Sequence, residues 1–285
     1  HGIIYLSWII LLQAWFEEGE NLFQMAEDAL THLPYTDDIR FLLGTALMFK
    51  SACQRDIPDK AEIMRQNMEA GLKHWEGLPP RADMLLPLWH VSYVSVHLRS
   101  DPEDTIDLIT RHLELGRLYN HYNSMAIALG GLANLTFSAY GDFERSMHYS
   151  NDALKLARQH SLTWGAYSQM ELMGLMYRSR GYYQQARSNF EECLSIRAQQ
   201  GVRHHAHSIQ YNFGQILLDL GDDQTALECF EQCVKNARDA QSRQMMVAGW
   251  SGLGLVAGYR NDIQTASEYF HKAHTLSSTI RHDKL

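Results

Sequence analysis

The sequence predicts an all-α chain, a right-handed superhelical solenoid of about seven antiparallel helix pairs. Two observations carry that prediction. Gly141, Gly181 and Gly221 fall 40 residues apart and Asn261 takes the next slot, in the settings Tyr140-Gly141-Asp142-Phe143, Arg180-Gly181-Tyr182-Tyr183, Leu220-Gly221-Asp222-Asp223 and Arg260-Asn261-Asp262-Ile263. The residue types around each marker recur as well. A small residue stands seven places before it (Asn134, Gly174, Gly214, Gly254) and another five places after (Ser146, Ala186, Ala226, Ala266). The ninth place after it holds Ser150, Phe190, Phe230 or Phe270, and the twelfth Ala153, Cys193, Cys233 or Ala273. A fixed period in the range of about 20 to 50 residues with such internal order marks stacked repeats, each contacting only its neighbours.

Taken in chain order, the first helix pair is expected from about Ile4 to Leu33, turning near Gly19. A second turn falls at Gln54-Arg55-Asp56-Ile57-Pro58, between Leu43-Gly44 and Ala61. A longer connection is expected around Gly77 to Asp83. Asp101 occupies the marker register in Ser100-Asp101-Pro102-Glu103, where Pro102 suits the first turn of a helix because its missing N–H is not needed there. Ile106 and Leu113 then replace the small residues, so this unit is degenerate. From about Tyr122 the chain alternates two helices per 40 residues. Trp250, Leu253, Gly254 and Ala257 recur at helical spacing in one helix, and Ala266, Tyr269, Phe270 and Ala273 in the next. Between the two, Gly tolerates positive φ and Asp can cap the following helix. All six prolines lie before residue 103. Residues 1–120 are therefore read as degenerate helical hairpins, and residues 121–285 as regular 40-residue repeats continuous with them.

Composition bounds the function. Apolar residues at 45% and charged residues at 20% fit a folded chain and are too apolar for disorder. The net charge of −8, without a basic run, argues against direct nucleic-acid binding. Cys53, Cys193, Cys229 and Cys233 are too sparse for a disulfide scaffold and fit reduced thiols in a cytoplasmic protein. The apolar stretch from Gly2 to Phe16 is shorter than the roughly 20 residues of a membrane span, so no membrane partner is expected. It lacks the basic flank and cleavage site of a signal peptide and reads as a buried helix. The chain begins at His1, and a fragment or processed chain is expected.

Trp250-x-x-Leu253-Gly254 followed by Ala266-x-x-x-Phe270 resembles the tetratricopeptide consensus, and Gly174, Tyr177, Ala186 and Phe190 repeat the scheme in another unit. The resemblance covers about Tyr122 to Ile280. It departs in its period, 40 in place of about 34, and in lacking the closing proline. A 40-residue version is similar to the arrays of maltose-regulator-like signal-transduction ATPases and to Pins-type adaptor arrays. Segments such as Leu11-Leu12-Gln13-Ala14-Trp15 and Ala153-Leu154-Lys155-Leu156-Ala157-Arg158 share the first group's character. That resemblance implies the sensor or interaction arm of a larger signalling or transcription-regulatory protein. No Walker-type loop is present in the sequence to supply a nucleotide site.

Local chemistry is sparse. His204 and His207, in Arg203-His204-His205-Ala206-His207, share a face at a spacing that can hold a metal, but no acidic or thiol ligand accompanies them. Cys229 and Cys233 lie one helical turn apart, and Cys233 takes a core alanine slot. No metal site and no cofactor are expected. Ser251 in Gly249-Trp250-Ser251-Gly252 only partly matches a nucleophile elbow and lies in a predicted helix without a strand, so no enzyme is expected.

The A helix, the first of each pair, lines the concave face of such a stack. By register the open positions are Ser168, Glu171 and Arg178, then Ser208, Tyr211, Gln215 and Asp219, then Ser251 and Tyr259. Asn212 alone fits the Lys-and-Asn set by which chaperone-tail arrays clamp a carboxylate. Earlier equivalents are Ala128, Gly131, Leu135 and Ser138, so the groove is expected to be apolar at one end and polar at the other. The first expectation is a non-catalytic arm that binds a protein or peptide segment through Glu171, Arg178, Tyr211, Asn212, Gln215, Asp219, Ser251 and Tyr259. The alternatives are a small-molecule inducer sensor and a self-assembly module that oligomerises through the apolar N-terminal helix.

Overall fold

The computed structural model describes residues 16–54, 60–97, 101–199 and 206–282, and the expected helix before residue 16 lies outside them. Among the described residues are thirteen α helices, one short 3-10 turn and no strand. Contacts divide the chain into two compact units, one ending at His160 and one beginning at Ser161. The first holds α1 (Phe16–Thr31), α2 (Asp37–Cys53), α3 (Ala61–His74), α4 (Leu85–His97), α5 (Pro102–Leu118), α6 (Tyr122–Tyr140) and α7 (Phe143–Gln159). The second holds α8 (Thr163–Ser179), α9 (Tyr183–Gln199), α10 (Ala206–Asp219), α11 (Asp223–Asp239), α12 (Arg243–Tyr259) and α13 (Ile263–His282). In the second unit helices adjacent in sequence pack against each other, and in the first they do so too, except that α4 packs chiefly on α2 and α5.

The first unit is built around large side chains. Trp75 is fully buried, stacks on Phe41 with centroids 5.6 Å apart, and donates from Nε1 to the Phe41 carbonyl at 3.0 Å. Helices α2 and α3 approach closely enough that a Cβ on Gly44 would sit 2.7 Å from the Gly71 carbonyl oxygen. The connection expected near Gly77 is present: Gly77 has φ +72°, and a 3-10 turn (Ala82–Met84) leads into α4. Arg81 ties this segment down by pairing with Asp38 at 2.7 Å and lying 4.2 Å from the Phe41 ring centroid. Asp101 caps α5 by accepting from the amides of Glu103 and Asp104, with Pro102 in the first turn as read from the sequence. One expectation fails: Gly19 makes no turn but lies buried inside α1, because a single glycine costs a helix only about 1 kcal/mol and packing on α2 offsets that.

The markers behave as their spacing demands. Gly141, Gly181, Gly221 and Asn261 have φ of +64°, +75°, +79° and +59°, the left-handed conformation that glycine and asparagine enter most cheaply. Tyr182, Asp222 and Asp262 then donate their amides to the carbonyls of Tyr177, Leu217 and Ala257, which closes Schellman-type helix ends. Asp142, Asp222 and Asp262 cap the next helices by accepting from the amides of Arg145, Thr225 and Thr265 at 3.0–3.2 Å.

The aromatic in the ninth place answers the small residue in its own hairpin. Phe190 is fully buried on Gly174 and stacks on Phe213 of α10 at 6.1 Å. Phe230, also fully buried, lies between Gly214 of its own pair and Gly252 of α12; a Cβ on Gly214 would come within 2.8 Å of its ring. Phe270 rests on Gly254 in the same way, yet 43% of it is exposed, and no described helix follows α13 to cover it. In the pair formed by α6 and α7 the order lapses, with Asn134 exposed and Ser150 buried. Among the described residues no helix is long and apolar enough to cross a membrane.

Candidate functional site

In the second unit the three A helices lie side by side, α10 touching both α8 and α12, while each also packs on its own B helix. Their apolar stripes are spent on that packing: Met170, Met173 and Gly174 in α8, Ile209, Phe213 and Ile216 in α10, Gly249, Leu253 and Val256 in α12. Helical geometry leaves Glu171, Arg178, Tyr211, Asn212, Gln215 and Asp219 on the remaining face, half-buried or exposed.

These six residues are joined across α8 and α10. Arg178 Nε donates to Asp219 Oδ2 at 2.6 Å and its Nη1 to Gln215 Oε1 at 2.5 Å. Gln215 Nε2 in turn donates to the Tyr211 hydroxyl at 2.5 Å. One turn earlier, Asn212 Nδ2 donates to Glu171 Oε1 at 3.1 Å. The Tyr211 ring leans on Phe230 with centroids 5.9 Å apart, so it is braced from behind. Burial pushes the Tyr211 hydroxyl up, with the Arg178 charge acting against it. Burial also holds the Glu171 carboxyl above the usual carboxylate range, against the Asn212 hydrogen bond and the charge of Arg197. Arg197 is only 3% exposed, with its guanidinium 4.7 Å from the Tyr167 ring centroid.

Ser251 and Tyr259 stand outside this network. Ser251 Oγ donates to the Val247 carbonyl of its own helix at 2.9 Å, and the Tyr259 side chain is 71% exposed. Sequence reasoning missed Leu255, which lies between them on α12 and is 43% exposed. Its signal was available, since Leu255 falls one period after Gln215. The face therefore combines a polar patch on α8 and α10 with an apolar edge on α12.

In the first unit two of the four expected open positions turn out otherwise, while Ser138 is exposed and Gly131 half-buried. Ala128 and Leu135 are 1% and 6% exposed and belong to a core cluster with Ile109, Leu113 and Leu132. Helix α5 covers that stripe of α6, and a Cβ on Gly131 would already touch Ile109 at 3.4 Å. Leu135 is thus core and lines no groove. The first unit has instead an open cleft of about 700 Å³, lined by Met68, Leu72 and Leu108 together with Glu69, Asp104 and Arg111.

No group of three or more His, Cys, Asp or Glu side chains suited to a metal occurs among the described residues; His204 lies outside them. All four cysteines are buried and none is in a disulfide. Burial pushes the Cys229 thiol up to about 11 and Cys193 and Cys233 up to about 12, so they pack as neutral thiols and are poor nucleophiles.

Residues 166–239 match the family model of the tetratricopeptide repeat. Solved structures agree over a longer span. A signal transduction ATPase with numerous domains from Pyrococcus horikoshii, bearing a tetratricopeptide repeat sensor, is 13% identical and aligns with TM-score 0.70 over 99% of this chain and 43% of its own. A Rap protein complexed with competence and sporulation factor is 11% identical, with TM-score 0.59 over 98% of both chains. NprR in complex with its cognate peptide NprX is 15% identical, with TM-score 0.61 over 95% of this chain and 76% of its own. At these identities the likeness is one of fold. No curated protein matches the sequence.

Proposed function

We propose that this array of tetratricopeptide-like helix pairs is a non-catalytic interaction arm, and that the A-helix face of its second unit binds an extended protein or peptide segment. One observation carries the reading. Residues from two successive A helices, Arg178 with Gln215 and Asp219, and Glu171 with Asn212, hold one another in place on a face that stays partly open. Side chains fixed before a ligand arrives lose less entropy on binding, which is the advantage of a preorganised surface. Exposed Leu255 and Tyr259 beside them offer apolar area to the same segment. Two proteins of like fold, NprR with its peptide and a Rap protein with competence and sporulation factor, are known as complexes, and the array of the Pyrococcus protein is described as a sensor. By that analogy the arm serves a signalling or transcription-regulatory protein, and its buried cysteines, none in a disulfide, suit the cytoplasm.

A photo-crosslinking residue tests this. Placed at position 215 on the A-helix face, it is expected to capture a polypeptide from the source cells that is not captured from position 231, an exposed site on α11. Equal capture from both positions would contradict the assignment of the face.

A further inference from the structure

We infer that the segment bound on this face presents a positively charged nitrogen to Glu171. This ligand chemistry presupposes the binding face proposed above. Two carboxylates from the A helices lie on that face, and the chain treats them differently. Asp219 is matched by its own arginine, Arg178, at 2.6 Å. Glu171 is matched by a neutral amide: Asn212 Nδ2 holds Oε1 at 3.1 Å, and among the described residues no other side chain bonds its carboxylate.

A cation placed at Oε2 would complete this carboxylate. The candidate from within the chain, Arg197, is 3% exposed and lies over the Tyr167 ring, its guanidinium 4.7 Å from the ring centroid. Its field eases the Glu171 carboxylate only in part, and burial still dominates. Glu171 is half-buried and not sealed, so a ligand can approach. An ammonium or guanidinium there would form a charge-assisted hydrogen bond in surroundings less polar than water, where such a bond is about twice as strong as a neutral one. Asn212 fixes the direction of approach by occupying the other oxygen. The chain's net charge of −8 favours the encounter with a basic segment.

The full chain, immobilised, is probed with N-acetylated hexapeptide pools in which one position is fixed as Lys, Arg, norleucine or Glu and the others are random. Lys and Arg pools are expected to be retained about tenfold better than norleucine pools. Glu171→Gln keeps an oxygen for Asn212 to bond, so the fold should survive, and its ratio should fall to near one with the melting temperature unchanged. Glu171→Lys should reverse the order in favour of Glu pools. Pools with free amino termini form the second arm; a preference seen only there identifies the cation as the chain-end ammonium. A basic preference that persists in Glu171→Gln, or a wild-type preference for norleucine or Glu, would overturn the role of Glu171. If no pool is retained above the level of a Gln215→Ala, Asp219→Ala variant, the binding face itself is wrong and the assignment of Glu171 falls with it.

Discussion

Ser146 stands where three later repeats have alanine, and its buried hydroxyl has no hydrogen-bond partner. A buried donor left unsatisfied costs about 1–3 kcal/mol. Ser146→Ala is therefore expected to stabilise the protein by about 1 kcal/mol, seen as a higher urea midpoint at unchanged slope. His112 is a larger version of the same condition. It is fully buried on α5, neither ring nitrogen has a partner, and burial, aided by the charge of His121, depresses its pKa to about 4. Because the folded value lies below the ordinary 6.5, the unfolded chain takes up this proton first. The associated stability is complete above pH 6.5 and is lost as pH falls toward 4, by on the order of 3 kcal/mol. In His112→Leu that part of the pH dependence should vanish. Parallel urea titrations of both proteins between pH 7 and pH 4 would show it, and identical slopes would refute the account of His112.

At the scale of helices and turns, the aromatic-on-glycine contact holds each regular hairpin together and joins it to the next. Phe230 serves both contacts and is fully buried, whereas Phe270 serves one and is 43% exposed. Phe230→Ala should cost about 3–5 kcal/mol, and Phe270→Ala about 1–2 kcal/mol. Equal losses in denaturant unfolding would mean that the next unit's helix contributes nothing. These contacts were legible because each is a local demand repeated at one spacing: a left-handed turn selects Gly or Asn, and a Phe ring against a helix backbone selects Gly. The second set of left-handed turns was not legible. Asn120, Ser161 and Gln241 have φ of 51°, 54° and 54° at the ends of α5, α7 and α11; Asn120 is of a type that such a turn favours, but Ser161 and Gln241 are not, so no common residue marks the set. A serine or a glutamine tolerates that strain without advertising it, so the signal is lost among ordinary surface residues. Gly19 shows the converse, a glycine without a turn.

For the molecule as a whole, the repeat register predicted which residues of the second unit share a face, because helical period and repeat period together determine direction. It did not predict which bonds they make. The Arg178–Asp219 and Glu171–Asn212 links each span 41 residues and depend on side-chain reach across α8 and α10. In the first unit the same register misplaced Leu135, since Ile109 and Leu113 of the degenerate α5 cover a stripe that regular repeats leave open. The central claim is that the A-helix face of the second unit binds a protein segment. Affinity capture from the source organism's lysate tests it most directly, with the wild-type chain and a Gln215→Ala, Asp219→Ala variant as paired baits. Both substitutions avoid Tyr211, whose ring supports Phe230, so the fold is retained and can be checked by its melting temperature. The account predicts a polypeptide held by the wild-type bait and lost from the variant at equal stability; retention of the same polypeptide by both baits would contradict it.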